Sequence, residues 1–332
     1  MIYMYACIAL LASFLMTMLL SPIYLKYASK VGAGQHTLKY LKQHASKTGT
    51  PTMGGMVFVL TTSIIVGVTG GFKSSLTLVI TLIFIGFGLI GFLDDLIKVI
   101  FKRNLGLRAY QKIFAQLLIS IIAAWFCANN RYIGTSIYIP VIRNYFDLGI
   151  FYIPFATFVF VASTNAVNLT DGLDGLAASM NVIYFATFLI VALQLLSTAS
   201  YGGDLLYEYE LKKITIFLGA IIGGLIGFLW FNGHKSQMIM GDTGALALGA
   251  VSGAIALFLR NPLLILLVGI MFVVTSMSVF IQILSFKLTK KRIFLMAPLH
   301  HHLELKGLGE SKIVTYYSII TIIMGVVSLI VI

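Results

Sequence analysis

The residues best suited to chemistry in this sequence are aspartates at the ends of long apolar segments. In the segment NLTDGLDGL, Asn168, Asp171 and Asp174 are spaced three residues apart, so on a helix they would share one face. Ionisable groups beside membrane helices are costly unless they are paired, which makes these residues candidates for a functional site. Gly172 and Gly175 permit close approach of the backbone, and the aspartates can accept hydrogen bonds from a sugar or a base edge. The alternative is a polar turn between two membrane spans.

A second candidate is the adjacent pair Asp94 and Asp95 in the segment LDDLIKV. Adjacent carboxylates repel each other, so the pair is stable only if a cation or a shared proton compensates. Mg²⁺ is typically held by one or two carboxylates together with substrate phosphates, which suits such a pair. The alternative is an intrahelical ion pair at a helix end, because Lys98 follows Asp94 by four residues.

A third candidate is Asp242, which Gly241 and Gly244 flank in the segment MGDTGAL. Read alone, Asp242 could be only an acid that matches the positive end of the following helix dipole, which Thr243 can help to cap. Beside four other aspartates, it becomes a candidate member of a shared site.

The segment APLHHHLELKG carries three consecutive histidines, His300, His301 and His302. These side chains cannot all point the same way on a helix, and Pro298 indicates an irregular lead-in. Zinc ligands usually have wider spacing, so we do not predict a zinc site. Imidazoles beside a phosphate site can donate hydrogen bonds or carry charge. The alternative is a wet loop at the membrane interface.

The segment SKTGTPTMGG, residues 46–55, combines a lysine, hydroxyl groups and glycines before an apolar run. It lacks the Walker spacing and is therefore not a P-loop. Backbone amides near the glycines could still bind phosphate oxygens.

The elements that position these residues are membrane helices. Of the 332 residues, 59% are hydrophobic and 10% are charged, whereas a soluble domain has about 25% charged residues. Several runs reach the roughly 20 apolar residues that a spanning helix needs. They do not alternate as the strands of a membrane barrel would. We therefore predict an all-α, polytopic integral membrane protein forming one transmembrane domain, residues 1–332, with no soluble domain.

We predict about ten transmembrane helices, and the basic residues predict their orientation. If the segment 21–52 is cytoplasmic, the inside loops hold 17 of the 23 basic residues, which places both termini outside the cytoplasm. A charge of +12 would also suit nucleic acid, anionic lipid or a phosphorylated substrate, but we attribute it mainly to this loop bias and predict no nucleic-acid partner. The predicted spans are 2–20, 53–70, 75–93, 113–128, 150–167, 176–196, 213–231, 244–259, 262–286 and 313–332.

The acidic residues did not enter this assignment, yet all five motif aspartates and all six histidines fall at the cytoplasmic face. Outside, residues 129–149 could form a hairpin, and residues 197–212 are typical of a solvated connector with up to one helical turn. The span 262–286 runs into KLTKKR, whose four basic residues suit contact with anionic headgroups.

Together these segments resemble the polyprenyl-phosphate N-acetylhexosamine-1-phosphate transferase superfamily, and within it the phospho-N-acetylmuramoyl-pentapeptide transferases. The long histidine segment is closer to this branch than to the related N-acetylglucosamine-1-phosphate transferases. The matching segments follow the family order across nearly the whole chain. They are SKTGTPTMGG at 46–55, GFLDDLIKV at 91–99, NAVNLTDGLDGLA at 165–177, MIMGDTGAL at 238–246 and LMAPLHHHLELKG at 295–307.

The resemblance implies an enzyme of the bacterial cytoplasmic membrane, with ten spans, a cytoplasmic active site and a homodimeric state. The implied reaction joins UDP-MurNAc-pentapeptide to undecaprenyl phosphate, gives lipid I and UMP, and requires Mg²⁺. It implies that Asp242 is the Mg²⁺ ligand and that Asp94 and Asp95 are an essential pair, one of them a base or nucleophile. The remaining implied residues are the functional histidines 300–302 and the nucleotide-sugar contacts Lys47, Thr52, Lys98, Lys112, Asn168, Asp171, Asp174, Asn232 and Gly241.

The chain departs from the family pattern at two places. The loop before Lys112 is shorter than in many relatives, and Ile239 stands where many members have phenylalanine beside the uridine site. The physical chemistry fits the implied reaction, because a lipid phosphate must meet an anionic pyrophosphate and both charges must be neutralised. Direct attack and a phospho-sugar intermediate on an aspartate both remain open.

Overall fold

The computed structural model describes residues 2–31, 49–103 and 105–332, and almost all of its regular structure is α-helical. Two short strands, β1 (Ser136–Ile139) and β2 (Asn144–Asp147), form the only sheet among these residues. The helices are α1 (Ile2–Val31), α2 (Gly55–Val68), α3 (Ser75–Ile100), α4 (Ala109–Asn129), α5 (Tyr152–Thr170), α6 (Leu176–Gly202), α7 (Leu205–Asn232), α8 (Gly241–Phe258), α9 (Ile265–Val268), α10 (Ile270–Thr289), α11 (Leu299–Leu305) and α12 (Glu310–Val331).

The prediction of an all-α polytopic membrane protein is confirmed. Within the described ranges, nine helices are long and apolar enough to cross a membrane. The second predicted span corresponds to α2, which has 14 residues and a length of about 21 Å at 1.5 Å per residue. This is shorter than a hydrocarbon core of about 30 Å.

The ninth predicted span is wrong as a single helix. A 3₁₀ turn at Pro262–Leu264 leads into the four-residue α9, and the chain bends at Gly269 before α10 begins. Proline suits the first turn of a helix because it lacks an amide hydrogen, and glycine carries the bend without a side chain.

The prediction of up to one helical turn in the connector 197–212 is also wrong, although most of its residues, including 200–206, are exposed as predicted. Helix α6 continues to Gly202, and α7 begins two residues after Gly203, which adopts a left-handed conformation with φ 75°. The reason is a buried carboxylate. Glu210 accepts hydrogen bonds from the backbone amides of Ser75 and Leu76 at 3.1 and 3.0 Å, so the first turns of α7 pack against the start of α3.

The predicted hairpin is confirmed as the antiparallel pair of β1 and β2. It is attached to the end of α8 by a hydrogen bond of 2.9 Å from the amide of Tyr138 to the carbonyl of Arg260. The guanidinium of Arg260 lies 4.2 Å from the centroid of the Tyr145 ring, a cation–π contact.

Helix α8 is the centre of the bundle, because every residue from Thr243 to Phe258 is buried. Small residues allow its neighbours to approach, as is common between membrane helices. A Cβ on Gly249 would lie 2.5 Å from the Cα of Thr164 in α5, and Gly244 lies directly against Gly55 in α2. The first turn of α8 therefore lies between α3 and α5, which carry the other aspartate motifs.

These motifs gather at one end of the bundle. The C-terminal ends of α3 and α5 meet the N-terminal ends of α4 and α8 there, through contacts with Asp242. The opposite end holds Glu210 and the hairpin, where Tyr138 donates a hydrogen bond to the carbonyl of Ile332 at 3.2 Å. The prediction that the aspartates share one end of the helices is thus supported by the arrangement of the bundle.

Candidate active site

Three carboxylates form the centre of the candidate site. Asp94 and Asp95 come from the last two turns of α3, and Asp242 comes from the first turn of α8. One carboxylate oxygen from each lies within 4.8 Å of the others. Gly91 makes this approach possible, because a Cβ at this position would lie 2.1 Å from the carbonyl oxygen of Asp242. We call Asp94, Asp95 and Asp242 the aspartate triad.

Lys98 contacts all three members of the triad. Its Nζ lies 2.6 Å from Oδ2 of Asp94, 3.2 Å from Oδ1 of Asp95 and 3.0 Å from Oδ2 of Asp242. The intrahelical pair of Lys98 with Asp94 is therefore present, but it is also part of a larger cluster. Lys112 of α4 adds a second cation, with Nζ 2.6 Å from Oδ2 of Asp242. Two lysines thus compensate most of the charge of three carboxylates.

Asp95 is oriented by the residue that follows Asp242. Its Oδ2 accepts hydrogen bonds from the amide and the hydroxyl of Thr243, at 3.0 and 2.9 Å. Thr243 therefore holds Asp95, and the prediction that it caps α8 is wrong. Gly241 must be glycine here, because it has φ 72° and a Cβ would lie 2.5 Å from Oδ2 of Asp95.

Asp94 is oriented by the loop before α4. Its Oδ1 accepts a hydrogen bond of 2.9 Å from the amide of Leu107, and a Cβ on Gly106 would lie 2.6 Å from its carboxyl carbon. Sequence reasoning missed both loop residues, since no motif marks them, and it also missed the function of Gly91.

The NLTDGLDGL segment is not one helical face, so that prediction is wrong. Helix α5 ends at Thr170, and residues 171–175 form a turn that Gly175 closes with φ 73°. Asn168, still in the helix, donates from Nδ2 to Oδ1 of Asp242 at 2.7 Å. Asp174 is turned away and accepts hydrogen bonds from the amide and hydroxyl of Ser236, at 3.1 and 2.9 Å.

Asn232 ties this turn to the loop before α8. Its Oδ1 accepts from the amide of Gly175 at 3.1 Å, and its Nδ2 donates to the carbonyl of Met238 at 2.9 Å. Together with the bonds between Asp174 and Ser236, these contacts hold the 171–175 turn against residues 233–240.

Asp171 occupies the turn between these groups and is partly buried. Burial is the main cause that raises the pKa of its carboxyl group to about 8. The negative charges of Asp242, Asp95 and Asp174 raise it further. The pKa of Asp171 therefore depends on the charge of the triad, although Asp171 is not a member of the triad.

The described part of the segment before α2 lies beside the site, and two of its amides are already bonded. Gly54 donates to the carbonyl of Ile239 and Gly55 to that of Met240, both at 2.9 Å, so the expectation that amides near the glycines bind phosphate is wrong for Gly54 and Gly55. Thr52 is buried, and its carbonyl accepts a hydrogen bond from the hydroxyl of Tyr24. Lys47 lies outside the described residues.

The three histidines lie on the helix α11, so the alternative of a wet loop is wrong. As predicted, they make different contacts. His300 is buried against the turn, where a Cβ on Gly172 would lie 2.3 Å from its Nε2. Nδ1 of His301 lies 2.6 Å from Oε2 of Glu304.

His302 faces the chain that precedes α11. Its Nδ1 accepts a hydrogen bond of 3.1 Å from the amide of Leu295, which places any proton of the neutral ring on Nε2. Burial lowers the pKa of His302, and the nearby charge of Lys306 lowers it further.

The sequence of the chain matches a known family and its members. The profile of the family described as glycosyl transferase family 4 matches residues 76–260, which include the triad. A phospho-N-acetylmuramoyl-pentapeptide-transferase of Clostridium kluyveri is 45% identical over 322 residues, 96% of each chain. Proteins of the same name from Clostridium botulinum and Clostridium perfringens are each 44% identical, over 97% and 95% of this chain and 95% and 93% of their own length.

Proposed function

The chain belongs to the phospho-N-acetylmuramoyl-pentapeptide-transferase family and is a multi-pass membrane transferase, and from this premise we propose its substrates, cofactor and orientation. It transfers phospho-MurNAc-pentapeptide from UDP-MurNAc-pentapeptide to undecaprenyl phosphate, with Mg²⁺ as cofactor. An oxygen of the lipid phosphate forms a bond to the sugar-bearing phosphorus, and the bond between that phosphorus and UMP breaks. The products are lipid I and UMP.

The observation that carries this proposal is the aspartate triad with its two lysines at one end of the bundle. The site can neutralise anionic phosphates through Lys98 and Lys112 and can offer carboxylates to a cation. A site at the end of membrane helices is reached by a lipid phosphate from the bilayer and by a nucleotide sugar from water. A transporter would instead hold its substrate near the middle of the membrane.

The triad fits Mg²⁺ by the chemistry of its donors. Carboxylate oxygens are the ligands that this cation prefers, and Asp242 offers two oxygens at the centre of the cluster. Bound there, Mg²⁺ would supply positive charge to the pyrophosphate and to the departing UMP. Lys98 contacts all three carboxylates and would have to yield at least one of them to the cation.

We assign the remaining residues from their positions. Asp94 and Asp95 are oriented by Leu107 and Thr243 and supply the base or nucleophile, with direct attack and a covalent intermediate both still open. Lys112 and Asn168 hold the two oxygens of Asp242 in place.

The nucleotide sugar is bound beside this centre. We propose that Lys47, Thr52 and Asp171 contact it, together with the histidines 300–302. Asp174 and Asn232 act through the turn that they hold, because their carboxylate and amide groups are bonded to the 233–240 loop.

We further propose that the triad faces the cytoplasm in the bacterial inner membrane and that the protein is a homodimer. The distribution of basic residues supports this orientation, since the sequence predicts that 17 of the 23 fall on the same side of the membrane as the aspartate motifs. Thiol labelling of Cys residues introduced at exposed Lys102 and exposed Val141 would show which side of the membrane each end of the bundle faces. Labelling of position 141 from the cytoplasm would overturn the orientation.

The test of the reaction is UMP release by the purified protein with undecaprenyl phosphate, with and without Mg²⁺. We expect release with UDP-MurNAc-pentapeptide and Mg²⁺, and none when Asp242→Asn replaces the native protein. UDP-N-acetylglucosamine serves as the control substrate. Release from that sugar alone would assign the chain to the related N-acetylglucosamine branch, and full activity of Asp242→Asn would refute the site.

A further inference from the structure

The end of α10 forms a turn that carries four cations. Lys290 adopts a left-handed conformation with φ 57° and ends the helix, after which the chain folds back along α10. Gln282 holds the returning segment of the chain, because its Oε1 accepts hydrogen bonds from the amides of Ile293 and Phe294 at 3.1 and 3.0 Å. Ser285 adds a hydrogen bond of 2.9 Å to the carbonyl of Lys291. We call residues 287–292 the basic turn.

The basic turn exposes cations and apolar side chains together. Its cations are Lys287, Lys290, Lys291 and Arg292, all of which are exposed and make no ion pair with any residue that the structure describes. Leu288 is 74% exposed within the turn, and Ile293 is 57% exposed just after it. Exposure of these large apolar side chains to water is unfavourable, whereas a membrane surface accommodates both the cations and the apolar side chains.

The length of α10 places this turn at the edge of the membrane. Its 20 residues span about 30 Å, the thickness of a hydrocarbon core. We propose that the basic turn is a docking surface for anionic phospholipid headgroups, with Leu288 and Ile293 inserted among the acyl chains. Cations in cytoplasmic loops also set topology, but topology requires neither the fold-back held by Gln282 nor the exposed apolar side chains.

This surface is connected to the histidine helix α11. The amide of Leu295, three residues after the turn, donates to Nδ1 of His302, and the Phe294 ring packs edge-to-face on His302 at 5.5 Å. At the other side of the segment, the amide of Leu299 donates to the hydroxyl of Ser278 at 2.9 Å. Docking of the basic turn on headgroups therefore fixes the position of α11 relative to the 171–175 turn. The lipid composition of the membrane then affects the rate of transfer at the site.

The first test measures lipid preference without substrate. The protein is exchanged in detergent with equal amounts of phosphatidylglycerol and phosphatidylcholine, and the retained lipids are counted by native mass spectrometry. We expect Lys290→Gln/Lys291→Gln to reduce the preference for phosphatidylglycerol by about tenfold, because each cation near an anionic surface contributes about fivefold before salt screening. Lys26→Gln/Lys30→Gln removes two exposed cations from the end of α1 and is the matched control.

The second test measures transfer in nanodiscs, and this part rests on the proposed reaction. Added phosphatidylglycerol should raise turnover of the native protein and of the α1 control, and should leave Lys290→Gln/Lys291→Gln unchanged. Equal lipid preference in all three proteins would overturn the proposal, even if transfer is normal. A KM for the nucleotide sugar that is higher in Lys290→Gln/Lys291→Gln than in the native protein, with both in pure phosphatidylcholine, would also overturn it, because the cations would then serve the substrate.

Discussion

Asn165 donates a hydrogen bond from Nδ2 to Oε1 of Gln116 across 2.8 Å, and this bond joins α5 to α4 beneath the candidate site. Lys112 lies one helical turn from Gln116, and Asn168 lies one turn from Asn165. Lys112 and Asn168 donate hydrogen bonds to the two carboxylate oxygens of Asp242. The buried stripe of α4 is otherwise made of small side chains, which specify the axial position of a helix poorly. The hydrogen bond between the side-chain amides of Asn165 and Gln116, the amide pair, therefore sets the axial register between α4 and α5. That register brings Lys112 and Asn168 to Asp242.

Replacement of Gln116 by methionine should disturb this register. The change keeps the volume but leaves Nδ2 of Asn165 with only the carbonyl of Val161, and loss of a buried hydrogen bond costs about 1–3 kcal/mol. We expect a lower melting temperature and several-fold weaker activation by Mg²⁺. Asn181→Leu is the control, since it breaks a buried bond between α6 and α8. Equal weakening of Mg²⁺ activation in both variants would mean that the amide pair stabilises the fold and nothing more.

Removal of Lys98 should make the protein depend on a divalent cation for stability. Lys98→Gln leaves three carboxylates within 4.8 Å and one lysine. Each pair of such charges repels by about 3 kcal/mol at an effective dielectric constant of 20. Added Mg²⁺ should therefore raise the melting temperature of Lys98→Gln more than that of the native protein. Lys112→Gln, which loses a contact with one carboxylate, should show a smaller gain. An equal gain in all three proteins would contradict the role of Lys98 as the shared counter-charge.

Gly91 and Gly86 offer a matched pair of substitutions in α3. A Cβ at Gly91 would meet the backbone of Asp242 at 2.1 Å, whereas at Gly86 it would meet the flexible end of Ile119 at 3.2 Å. Gly91→Ala should abolish transfer and destabilise the protein by about 1–3 kcal/mol through overpacking. Gly86→Ala should retain activity, since alanine favours a helix by about 1 kcal/mol. Normal transfer by Gly91→Ala would show that α3 and α8 can separate without loss of the site.

The sequence predicted the membrane class, the gathering of the aspartates and the hairpin, because hydropathy, charge and turn residues act locally. It could not predict which charges pair across helices. The contact of Lys98 with Asp242 depends on the approach of α8 to α3, which Gly91 permits. Local sequence also predicted residues 197–212 to be a connector instead of helix, because the partner of Glu210 is at the distant start of α3.

The errors in the NLTDGLDGL segment have a related cause. A spacing of three was read with helical periodicity, but Gly175 adopts a left-handed conformation and the helix has already ended at Thr170. Asn168 and Asp174 consequently point to different partners, Asp242 and Ser236. The motif therefore showed which polar side chains are present, whereas it did not show which partners those side chains face.

Asp171 should couple protons to Mg²⁺ binding. Its pKa is raised to about 8 by burial and then by the negative charge of Asp242, Asp95 and Asp174, so it is protonated below pH 8. A cation at the triad would reduce this repulsion and lower the pKa, so binding should release a proton near neutral pH and apparent Mg²⁺ affinity should rise as the pH approaches 8. Calorimetric titration with Mg²⁺ in two buffers of different ionisation enthalpy counts the released protons. Asp171→Asn should lower that count and flatten the pH dependence. An unchanged count in Asp171→Asn would assign the proton to another group and would remove Asp171 from the electrostatics of the triad.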